Sequence, residues 1–126
     1  MPAILLVDDD PLQAYLMTSL LRPQFDEVRR INDAAEALRL MEQRDFAAKL
    51  SMVISGHHTL GIGEPAFVSE LQVRMPELPI LVLGEEGETG ADYPGEHVTF
   101  LPRNLVAEQM HSLARQLLVR QNDTAA

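Results

Sequence analysis

The chain has no cysteine and no tryptophan, and Lys49 is its single lysine. Without cysteine there is no disulfide and no thiolate metal or redox site, a composition that suits a cytoplasmic protein. Long apolar runs are also missing. Nothing approaches the roughly 18 consecutive apolar residues of a membrane-spanning helix, so no membrane partner is expected. The opening stretch MPAILLVDDD turns acidic early and lacks a basic n-region, so it does not read as a secretory signal. Basic residues are few. Ten Lys and Arg stand against nineteen Asp and Glu, for a net charge of −9, and the ten are scattered along the chain. Phosphate-backbone binding needs them clustered, so a nucleic-acid surface is excluded.

What remains fits one domain with one core. Its expected span is residues 1–122, with a frayed tail at 123–126. AILLV, residues 3–7, is too short for a helix core and too apolar for an edge, and reads as a strand buried on both faces. Asp10-Pro11-Leu12-Gln13 then combines an N-cap, a proline suited to the first helical turn and a capping-box glutamine. Leu12, Leu16 and Leu20 repeat at helical spacing up to Leu21, and Pro23 ends the run. DEVRRI is a weaker second strand. Asp33 and Glu36 make a second capping box, ahead of a stripe of Ala34, Leu38 and Met41. LSMVIS is the third strand. GEPAFVSELQVRM is a helix with Phe67, Val68, Leu71 and Met75 on one face. PILVL and HVTFL are the fourth and fifth strands, and Asn104 caps a last helix with Val106, Met110, Leu113 and Leu117 inward.

Alternating strands and helices predict a parallel sheet covered on both faces. One interval breaks the alternation. GEEGETGADYPGEH, residues 84–97, holds four glycines, one proline and five acidic residues. Glycine costs about 1 kcal/mol and proline about 3 kcal/mol in a helix interior, so a loop is expected there, with at most one short turn. Ligands of such folds gather at the carboxyl ends of the strands. Those ends carry Asp8, Asp9 and Asp10, then Ser55, Gly56 and His57, then Gly84 and Glu85, and finally Arg103.

With ILLVDDDP as its most specific motif, the chain resembles the receiver domain of bacterial two-component response regulators over roughly residues 3–120. The resemblance implies a flavodoxin-like α/β/α sandwich, with a five-stranded parallel sheet in the order 2-1-3-4-5 and, here, a shortened or absent fourth helix. It also implies Mg²⁺-dependent phosphoryl transfer from a histidine kinase to an aspartate. Asp8 and Asp9 match the acidic pair that helps hold the metal. A gapless match puts Gly56 at the phosphoacceptor position and His58 where a backbone carbonyl meets the metal. Gly84 matches the hydroxyl residue that ends the fourth strand, while Arg103 and Asn104 match a Lys-Pro pair. The pattern resembles a degenerate receiver, or pseudo-receiver.

Aspartyl phosphorylation needs a carboxylate nucleophile and a metal to neutralise the incoming phosphoryl group. Glycine at 56 supplies no nucleophile and removes one metal ligand. Two acidic side chains and carbonyls would hold Mg²⁺ only weakly, so no cofactor is certain. The expectation is a phosphorylation-independent, non-enzymatic module of two-component signalling. Its partner would be a protein (a histidine kinase, an effector or another regulator) or a second copy. The alternatives are a conventional receiver that uses an atypical residue, or a small metal or ligand sensor built on Asp8, Asp9, His57 and His58. Arg103, facing a site without its acceptor carboxylate, is expected to pair with Asp8 or Asp9. Ser55 reads as a small polar strand-end residue pointing away from the side of residue 56. Gly61 and Gly63 read as turn glycines, with Glu64 set to repel an anion.

Overall fold

Ala3–Val7 form β1, and each of its five residues is fully buried. A strand with no solvated face belongs in the interior of a sheet. In the computed structural model, which describes residues 3–56, 64–84, 93 and 95–102, β1 lies between β2 (Glu27–Ile31) and β3 (Leu50–Gly56). β3 pairs in turn with β4 (Ile80–Gly84), and β4 with β5 (Val98–Pro102). Every pairing is parallel, and the order β2-β1-β3-β4-β5 is the one the resemblance implies.

Four helices are described: α1 (Pro11–Leu21), α2 (Ala34–Leu40), α3 (Arg44–Lys49) and α4 (Glu64–Arg74). Side-chain alternation along the strands divides the core between them. Leu5, Val7 and Val53 pack on one face of the sheet with Ala37, Phe67 and Leu71 from α2 and α4. Ile4, Leu6 and Ile54 pack on the other face with Ala14, Met17 and Leu21 from α1. The result is a flavodoxin-like three-layer sandwich. Among the described residues no helix is long and apolar enough to cross a membrane.

The leucines at helical spacing in α1 do not form its buried face. Leu12 and Leu16 are 68% and 50% exposed, and Leu20 is half-buried. The buried face is Ala14, Met17 and Leu21. Two stripes at helical spacing run along this helix. Asp10 accepts hydrogen bonds from the N–H groups of Leu12 (3.0 Å) and Gln13 (3.3 Å) and fixes where the helix starts, while packing against Ile4, Leu6 and Ile54 sets which stripe faces in. The anticipated capping box is only half present. The Asp10 N–H donates to Asp8 Oδ1 at 2.9 Å rather than to Gln13. At α2 the cap holds, with the Glu36 N–H donating to Asp33 Oδ1 at 2.8 Å. The buried set there is Ala34, Ala37 and Leu40, with Leu38 packed at its margin.

α3 is an element the periodicity did not announce. It is six residues long and buries only Phe46, too few positions to establish a stripe. In the interval between β4 and β5, Tyr93 and residues 95–97 are described and are not helical, and the rest lies outside the described residues. The expected last helix at 104–121 also lies outside them.

The two stripes of α1 give a direct contrast. Met17→Ala should lower unfolding stability by about 2–5 kcal/mol, the cost of emptying a closed core site. Leu16→Ala should change it by no more than about 0.5 kcal/mol. Urea denaturation of the two variants checks the assignment, and equal losses would reverse it.

Candidate functional site at the strand tips

Parallel pairing brings the carboxyl tips of the strands together. Val7 lies opposite Ser55, and Gly56 opposite Leu83, so Asp8, Gly56 and Gly84 gather at one edge of the sheet. Asp8 is 1% exposed. Its N–H donates to the Ile31 carbonyl at 3.0 Å, and its own carbonyl accepts from Arg30 Nε at 3.2 Å. Oδ1 takes the Asp10 N–H described above. The other side of the carboxyl group faces the Gly56 backbone. A Cβ built on Gly56 would stand 2.8 Å from both Cγ and Oδ2 of Asp8 and 3.1 Å from the Val7 carbonyl oxygen. Asp9, next in sequence, is half-buried at the rim.

The residue after Val7 and the residue after Ser55 therefore compete for one volume, and Asp8 holds it. Hydrogen bonds to a charged carboxylate contribute about 1.5–3 kcal/mol, so turning Asp8 away from Asp10 is not a free motion. Asp8 and Asp9 are the described carboxylates that would face Mg²⁺, and the third expected ligand, the His58 carbonyl, lies outside the described residues. Among the described residues no group of three His, Asp or Glu side chains is placed to hold a metal ion. An octahedral cation at about 2.1 Å from its ligands needs an open carboxylate edge, and Oδ1 of Asp8 is engaged by the Asp10 N–H.

Gly84 follows the same pattern one strand further on. A Cβ there would overlap Cζ and Cε2 of the Phe100 ring. Phe100 sits on β5 opposite Val82, two residues before the partner of Gly84. Its ring stacks on Tyr93, with centroids 6.1 Å apart and planes at 23°. Tyr93 is 7% exposed and belongs to the core cluster on the α2–α4 face. The segment before β5 is thus anchored in the core by an aromatic side chain. Gly95 makes the turn out of it, with a φ of 144° that favours glycine.

Ser55 is fully buried, and its Oγ–H donates to Glu64 Oε1 at 2.7 Å. Strand parity gave its direction correctly, on the face opposite the Gly56–Asp8 contact. Glu64 was expected only as a charge that would repel an anion. Instead it is 6% exposed and tied to the tip of β3. The cue for it is weak: a carboxylate at the start of a helix is stabilising whether it is buried or not. Arg30, Tyr93 and Phe100 were also missed, since each reaches the site through register or a turn and not through a motif. His57, His58, Arg103 and Asn104 lie outside the described residues, and with them the expected pairing of Arg103 to Asp8 or Asp9.

A scan against family models finds no match, and neither does a search of curated proteins. Solved structures do match. The signal receiver domain of an HD domain-containing protein from Pseudomonas fluorescens Pf-5 is 23% identical, with a TM-score of 0.83 over 98% of this chain and 91% of that one. A response regulator receiver domain protein from Clostridium thermocellum is 17% identical, with a TM-score of 0.81 over 97% and 98%. The receiver domain of the hybrid histidine kinase CckA is 26% identical, with a TM-score of 0.72 over 92% and 98%. The fold of this chain is that of response regulator receiver domains.

The Gly84 packing makes a prediction. Tyr15 is 69% exposed and Tyr93 is 7% exposed, and there is no tryptophan, so in a Tyr15→Phe background Tyr93 is the only strong fluorophore. Adding Gly84→Ala should cost about 1–3 kcal/mol by overpacking and should make Tyr93 more accessible to acrylamide quenching. Unchanged quenching with unchanged stability would refute the seat assigned to Phe100.

Proposed function

We propose that this chain is a receiver-like module of two-component signalling that works by protein–protein contact and takes up no phosphoryl group. Gly56 carries the reading. It ends β3 beside the acidic tip of β1, where the receiver fold would need a nucleophilic carboxylate, and it has no side chain. Gly84 supports it, since a tip without a hydroxyl offers no side-chain donor to a phosphoryl oxygen. The module is non-catalytic in this reading. Its partner is a protein: a histidine kinase, an effector, another regulator or a second copy of the chain. A face held in one arrangement, without a covalent trigger, suits a contact set by partner concentration and not by phosphate. The region before β5, where Tyr93 stacks on Phe100, would form part of that face.

Incubation of the unaltered protein with acetyl phosphate and Mg²⁺, followed by intact-mass measurement, tests this. The expected result is no adduct. A hydroxylamine-sensitive phosphoryl adduct would contradict the proposal and favour a receiver that uses an atypical acceptor.

A further inference from the structure

The loss of a side chain at position 56 leaves two different sites open to consideration. One is a vacancy, ready to work again if a carboxylate is put back. The other is a pocket that a neighbour has filled. The geometry points to the second: we infer that Asp8 has changed role, from a group facing a metal to the occupant of the side-chain space at position 56, and that the pocket is closed from within.

Three observations carry this. Cγ and Oδ2 of Asp8 stand 2.8 Å from the place of a Cβ on Gly56, closer than a Cβ comes to heavy atoms it is not bonded to. Asp8 is 1% exposed, so its carboxylate has no solvated position to swing through without disturbing its surroundings. Its Oδ1 holds the Asp10 N–H, and Asp10 in turn caps α1, so rotating Asp8 unsettles a helix start. Gly56 is then required by Asp8 and is more than tolerated. Any side chain at 56 must displace Asp8 or press on the Val7 carbonyl oxygen, which stands 3.1 Å away.

The inference rests on the phosphate-independent reading and deepens it, because it predicts that putting a carboxylate back at position 56 will not restore the site. It is tested separately, by coupling. Gly56→Ala, Asp8→Ala and the double variant form a cycle read by thermal unfolding, with no metal or phosphate donor present. Gly56→Ala should lower the melting temperature clearly in the parent protein and by roughly half as much or less once Asp8 is truncated, since directly contacting residues are not additive. Additive losses would overturn the inference whatever the phosphorylation result. As a second arm, Gly56→Asp is incubated with acetyl phosphate and Mg²⁺ and weighed intact. No adduct is expected. A stoichiometric adduct on Gly56→Asp would overturn the closed pocket, while leaving the reading of the unaltered chain to its own test.

Discussion

The carboxyl group of Asp8 reaches from the tip of β1 to the backbone of Gly56 at the tip of β3, and much of the molecule is arranged around that contact. Asp8 is fixed from several directions, by Ile31 through its N–H, by Arg30 at its carbonyl and by Asp10 at Oδ1. Aspartate has a short side chain with few rotamers, so a group held this way has little freedom left. The sheet order supplies the rest of the constraint. β1 lies between β2 and β3, so the tip of β1 meets both Arg30 and Gly56.

Gly84 repeats the arrangement at the next strand. A missing side chain gives its volume to an aromatic ring, and that ring holds Tyr93 in the core. The two glycines have a common consequence. At both tips the space beside a glycine backbone is taken by a neighbouring side chain. Interiors are close-packed, and small volume changes in them are costly. Seats filled in this way keep the strand tips in one arrangement. The Ser55–Glu64 hydrogen bond does the same on the opposite face, tying the start of α4 to β3.

The sequence made the strands legible because AILLV and ILVL are continuous apolar runs and MVI a shorter one, each of a length that suits a buried parallel strand. The caps at Asp10 and Asp33 were legible from local chemistry alone. The inward face of α1 was less so, because Leu12, Leu16 and Leu20 recur as regularly as Ala14, Met17 and Leu21. α3 escaped notice because a single buried aromatic, Phe46, sets no period. At the site, the absence of an acidic residue at 56 could be read directly. What fills the space could not. That Asp8 meets Gly56, and Phe100 meets Gly84, depends on strand register and rotamer, which a linear pattern does not encode. Tyr93 was hidden for a related reason. It lies in a stretch of glycine and acid whose composition speaks for solvent, and only the open core beside β4 and β5 draws it in.

A crystal structure of the protein grown in a molar excess of Mg²⁺ tests the central claim most directly. The account predicts the Asp8 carboxylate in van der Waals contact with the Gly56 backbone, Oδ1 still accepting from the Asp10 N–H, and no cation between Asp8 and Asp9. A hydrated Mg²⁺ coordinated by those two carboxylates, with Asp8 rotated away from Gly56, would contradict it.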